Sequence, residues 1–163
     1  MATTVTVTTT PETARNAFVG VTAADALVLE RYGADADTWR ALTGDSGTDT
    51  KARLLITASR QISAGRWQGV KTASTNALAW PRSQIESDDE QYTTDTIPPE
   101  VVRATIWQAL YLLCGRDADA KAQRDGLRST GVGGVSFAGR DTDICPEALS
   151  ELAGWRVFGA EIV

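Results

Sequence analysis

The stretch from Ile97 to Gly115, IPPEVVRATIWQALYLLCG, constrains the fold more than any other part of the chain. Pro98 and Pro99 are excluded from a helix interior but suit its first turn, and Glu100 favours the positive end of the dipole. The spacing therefore predicts a helix over about 99–114. Its apolar residues (Val101, Val102, Ala104, Ile106, Trp107, Ala109, Leu110, Tyr111, Leu112, Leu113 and Cys114) run almost all the way round the 3.6-residue cycle, interrupted mainly by Arg103 and Gln108. A helix of that kind must be covered on most sides, so it is the core. Gly115 supplies the left-handed residue that closes many helices, and a polar run from Asp117 follows.

At 163 residues the chain fits a single domain. It divides into an arm over 1–19, a helical core over 20–128, and an extended segment and tail over 129–163. A formal charge of −5 argues against a chain whose main work is coating phosphates. No run is apolar for long enough to span a bilayer, and the opening MATTVTVTTT lacks the basic and apolar blocks of a signal peptide. The expectation is a soluble, non-secreted protein with no membrane partner. Cys114 and Cys145 show neither a disulfide framework nor a metal spacing, and read as buried thiols. Histidine is absent from the composition. That removes histidine-based triads, histidine metal ligands and the commonest proton shuttle. With no paired-carboxylate motif either, the chain reads as a non-enzyme without cofactor or metal.

Along the chain, Val5 and Val7 alternate with threonines until Pro11, which reads as a loose arm or an edge strand. Thr22 and Asp25 have the spacing of an N-cap and a third-position carboxylate, predicting a helix over 23–32 that Gly33 ends. Asp37 or Thr38 is placed to cap a short turn carrying Trp39, a packing anchor, and Leu42. Gly44 to Gly47 reads as a loop. Thr48 and Asp49 are candidate caps for a helix over 51–64, with Ala52, Leu55, Ile56 and Ile62 inward and Arg53, Arg60 and Gln61 outward. Next, GRWQGVKTASTNALAWPR over 65–82 shows no strong periodicity. A polar loop that long must be held down, and Trp67, Leu78, Trp80, Pro81 and Arg82 are its expected fasteners, with Pro81 fixing the direction of Trp80.

At this loop the chain resembles the head-to-tail connector, or adaptor, proteins of tailed bacteriophages, some of which carry a DnaT-like single-stranded-DNA-binding label. The resemblance rests on an alanine-rich helix at Ala23 to Ala26, Trp39, Trp67 with Gly69, Leu78, Trp80-Pro81-Arg82, and Ile97-Pro98. Asn76 departs from the usual glutamine but keeps a carboxamide. The match covers roughly residues 18–115. It implies a mostly α fold, a small helical bundle around a central apolar helix with an extended N-terminal arm and an extended or hairpin C-terminal segment. It also implies a dodecameric ring under a portal in the virion neck, assembled in the host cytoplasm. Its partners would be other copies, the portal, and a downstream neck, stopper or tail-terminator protein. DNA would pass through without sequence-specific contact.

The remaining segments are read in that light. Glu86, Asp88, Asp89 and Glu90 form an acidic loop without the register of a calcium site, suited to a channel lumen because carboxylates repel phosphate. The glycine-rich tract over 129–139 lacks the order of a phosphate loop, and Val132, Val135 and Phe137 suggest a hairpin or pairing strand. Pro146 opens a last helix over 147–153. Trp155, Val157, Phe158 and Ile162 then crowd the tail, which must dock either on its own core or on a portal or neighbour. A competing reading is a nucleic-acid-binding module in which Trp67 or Trp80 stacks on bases beside Arg66, Lys71 and Arg82.

Overall fold

The computed structural model describes residues 4–11, 13–83, 96–115 and 144–155. In chain order its elements are helices α1 (Val21–Leu29), α2 (Ala34–Ala41) and α3 (Gly44–Ser63), strands β1 (Val70–Lys71) and β2 (Arg82–Ser83), helices α4 (Pro99–Leu113) and α5 (Pro146–Glu151), and a 3-10 turn (Ala153–Trp155). The described part is mostly helical, a small bundle around α4. That helix begins as its sequence demands, with Pro98 at the N-cap and Pro99 in the first turn, and Gly115 follows it at φ 67°.

Helix α3 lies antiparallel to α4. Near the start of α4, Ile62 packs with Val101 and Ala104. Further along, Leu55 and Ala58 pack with Ile106, Ala109 and Leu110. Between these layers Gln61, expected to face solvent, instead accepts a 2.8 Å hydrogen bond from Gln108. Gln108 is fully buried, and its own carbonyl takes the Cys145 N–H at 2.7 Å, which seats the start of α5. Farther down α5, Glu151 receives Arg103 at 2.9 Å and the Trp107 indole at 3.2 Å. These bonds tie α5 alongside α4, and Arg103 is held charged by Glu151 above its already high ordinary pKa.

Helix α1 crosses back over α3, as two bonds show: Phe18 N–H to Ser59 Oγ at 3.0 Å, and Lys51 Nζ to Asp25 at 2.9 Å. Asp25 therefore does not cap its helix. The N-cap is Gly20, with no side-chain cap bond, and Asp25 is spent on Lys51 and on the Trp39 indole at 2.7 Å. The predicted loop over 44–47 is also corrected, because those residues form the first turn of α3 and the cap is Thr43. Gly47 explains why: a Cβ there would meet the Leu42 carbonyl carbon at 2.5 Å, so glycine lets α3 start hard against the end of α2. Turn composition read locally gave the wrong answer because the glycine serves packing.

Residues 4–9 are neither loose nor an edge strand. Asn16 Oδ1 accepts from Thr8 N–H at 2.7 Å and its amide donates to Thr6 at 2.9 Å, folding residues 4–9 back beside 13–18. Arg15, almost fully buried, donates to the Thr9 carbonyl at 2.6 Å and to the Trp80 carbonyl at 3.3 Å. Val5 N–H reaches Asp49 at 2.6 Å. That bond, aided by Arg53 against a smaller opposing effect of burial, holds the Asp49 carboxyl below its usual range.

Candidate functional site

The loop after α3 carries the residues singled out from sequence, and the structure makes a clasp of them. Trp67, Trp80 and Trp155 are 5%, 1% and 6% exposed. Their rings form a chain: Trp67 to Trp80 at 6.2 Å between centroids and 50°, and Trp80 to Trp155 at 5.2 Å and 85°, an edge-to-face contact. Tilted and edge-on pairs of this kind satisfy the ring quadrupoles. The Trp67 indole donates to the Ile62 carbonyl at 3.0 Å, pinning the loop to the end of α3. Gln68 N–H donates to the Trp155 carbonyl at 2.9 Å, tying the same loop to the 3-10 turn.

Arg82 does the rest. Its guanidinium donates to the carbonyls of Gln68 (2.7 Å), Trp67 (3.1 Å) and Ala79 (3.2 Å), and also to that of Gly69. Five N–H donors in a fixed fork suit this role better than any other side chain. Burial lowers its pKa from the ordinary arginine value, yet an arginine stays charged, so the oxygens around it must stay in place. Pro81 is buried and follows Trp80 through a cis peptide bond. Leu78 is buried as well, and Ala79 N–H donates to Ser63 at 2.7 Å. Buried Asn76 donates to Thr72 at 2.9 Å, keeping the carboxamide function that its departure from glutamine preserves. The short pair β1–β2, antiparallel with Val70 opposite Ser83, closes the loop.

This geometry corrects two expectations. Base stacking needs an open ring face, and Trp67 and Trp80 present none, so neither can be the platform of a nucleic-acid site; Arg82 is committed to carbonyls. Of the basic residues near them only Arg66 and Lys71 are exposed. Trp155, in turn, is part of the chain's own core, packed with Trp80, Leu152 and Ile144. It is not a free portal anchor. Val157, Phe158 and Ile162, the acidic Glu86, Asp88, Asp89 and Glu90, and Val132, Val135 and Phe137 lie outside the described residues. Both cysteines are free thiols, and burial pushes the Cys145 thiol up to about 11, which makes it a poor nucleophile at neutral pH. Among the described residues no group of histidine, cysteine and carboxylate side chains is placed to hold a metal ion.

Sequence reasoning missed a second arginine device. The Arg40 guanidinium gathers the C-terminal carbonyls of α1, Val28 at 2.8 Å and Leu29 at 3.2 Å, together with that of Arg31. This fixes a corner from which Leu29 and Tyr32 project into solvent. Beside it, Arg31 lies 4.5 Å from the Trp107 ring centroid and pairs with Asp35 at 3.0 Å. They line a shallow cleft with Leu110, Tyr111 and Glu147. The one signal that pointed inward was Gln108, a polar break in an otherwise apolar helix; buried polar groups are almost always bonded.

A family model described as "Putative DnaT-like ssDNA binding protein" matches residues 1–144. No curated protein matches at a significant level, and no solved structure does.

Proposed function

The chain belongs to this DnaT-like family, and from that premise we propose that it works as a structural connector and makes or breaks no bond. In this reading copies assemble into a ring, dodecameric as in the phage connectors the sequence resembles, at the head-to-tail junction of a virion. The ring extends the DNA channel beneath a portal and offers a surface to the next neck protein.

What carries the reading is the fate of the Trp80-Pro81-Arg82 string. The motif on which the connector resemblance chiefly rests is spent on shape, bracing a long loop against α3, α4 and the 3-10 turn. A body so stiffened, with an arm laid across it, has the build of a part that packs beside copies of itself in closed cyclic symmetry. The formal charge of −5 suits a wall past which DNA slides.

The family description favours a second reading, binding of single-stranded nucleic acid. Without the tryptophans, that activity would fall to the exposed cations Arg60, Arg66 and Lys71. Three phosphate contacts give a slope of about −2 in log affinity against log salt on single strands. The two readings part in one pair of measurements. Native mass with and without a portal ring should show the chain added in multiple copies, and an unchanged mass sinks the connector. Anisotropy of a labelled single strand should stay flat; tight binding with that salt slope hands the case to the second reading.

A further inference from the structure

Among the described residues, two exposed apolar spots lie at opposite ends of the bundle, and each sits on a corner braced by an arginine. The first is the α1–α2 corner, where Tyr32 is fully exposed and Leu29 is 68% exposed. Arg40 fixes its backbone. The second is β1, where Val70 is 49% exposed, on the loop whose carbonyls Arg82 collects. Because Phe18 lies by Ser59 and Asp25 by Lys51, α1 runs toward the beginning of α3, which places Tyr32 at that end. Val70 follows the other end. Twenty residues of helix, about 30 Å, separate the two.

The charges around them are opposite. Beside Tyr32 stands the exposed carboxylate of Glu30, with that of Asp45 at the start of α3, and no cation pairs with either among the described residues. Beside Val70 stand Arg66 and Lys71, whose cations meet no carboxylate there; Lys71 donates to the Asn76 carbonyl. An apolar knob with a negative flank thus lies at one end and an apolar spot with a positive flank at the other, both on backbone that loses little entropy on docking.

We propose that these two spots are the halves of one head-to-tail contact between copies of this chain: Tyr32 and Leu29 of one copy seat on Val70 of the next, with Glu30 facing Arg66 and Lys71. A contact of two different patches is heterologous, and its repetition generates a ring or a filament, never a closed pair. The inference rests on the assembly reading above and names the surface that reading needs. Tyrosine is a frequent anchor of such interfaces, and complementary flanks set register and partner choice.

The test uses the full chain and two variants, Tyr32→Asp and Val70→Asp, both at exposed positions where the core is untouched; circular dichroism verifies the fold of each. Sedimentation up to millimolar concentration should show the wild-type chain forming species larger than a dimer, and each variant alone weakened at least tenfold. Mixed in equal amounts, the two variants retain one intact junction, so the mixture should stop at dimers. Association of Val70→Asp as strong as wild type would mean that the Tyr32 corner pairs with itself, and a wild-type chain that stays monomeric would mean that the junction does not exist; either overturns the proposal. Portal attachment that survives in both variants while self-association is lost leaves the connector role standing, whereas a portal mass unchanged by wild-type chain strikes that role directly.

Discussion

The interior is built from two clusters made in different ways. Around the middle of α4, Ala24, Val28, Trp39, Leu55, Ala58, Ile106 and Leu110 come together from helices, each residue on the inward stripe of its own element, with Val19 joining them from just before α1. Toward the start of α4, Trp67, Leu78, Trp80, Ile144 and Trp155 arrive from a loop, the lead-in to α5 and a 3-10 turn, and meet Phe18, Ile62 and Val101. The first is ordinary helix packing. The second holds a segment with almost no secondary structure, and does so with large rings and side-chain bonds to backbone. Trp107 packs against both, so it couples them. The lesson is that a region poor in periodic structure can be as fully buried as a helical one if aromatic area and arginine donors replace the missing ladder.

The sharpest way to break this comparison is Trp80→Ala. Removal of a ring 1% exposed and in contact with two others should cost about 3–5 kcal/mol, read by chemical denaturation. A loss under about 1 kcal/mol would show that the loop cluster is decorative. Leu55→Ala in the helical cluster should cost somewhat less, about 3 kcal/mol, and the same denaturation series ranks the two clusters. Gln108→Leu tests the polar seam between α3, α4 and α5. It strands the Cys145 N–H and the Gln61 carbonyl, for about 1–3 kcal/mol, and amide exchange should quicken at Cys145 before it quickens in α3.

The smallest effect concerns the arm. Since its folded pKa is depressed, Asp49 contributes its tether fully above the ordinary carboxylate value and loses it as pH falls through the folded value. The Val5 amide resonance should therefore hold steady near neutrality and move only below about pH 4. In Asp49→Asn that acid transition should vanish with the midpoint of unfolding nearly unchanged. A transition near pH 6 would assign the tether to another group.

How much of this was legible can be judged residue by residue. The extent of α4 followed from its prolines, its apolar circuit and Gly115, all of which act within a few turns. The loop fasteners were legible as well, since a long unstructured loop with two tryptophans leaves little else to hold it. What they would be fastened to was not. Trp155 reads from sequence as the root of a sticky tail, and only its contact with Trp80, 75 positions away in the chain, shows it to be core. A lysine is rarely buried unless paired, and Lys51 is buried because Asp25 and the Trp39 ring meet its ammonium. The close approach of Gly47 to the Leu42 backbone accompanies the turn of Gly44 to Gly47 from loop into helix.

Sequence alone determined the extent of α4, its place at the centre, and the body though not the first turns of α3. Those outcomes depend on hydrophobic period and terminal residues, both encoded within a turn or two of the chain. Only the tertiary structure decided which polar groups would be drawn inside, which tryptophans would be hidden, and which apolar residues would be left in solvent. Each of those depends on a partner far off in sequence, and an arginine such as Arg40, which collects carbonyls from the helix before its own, leaves no local pattern by which to foresee it.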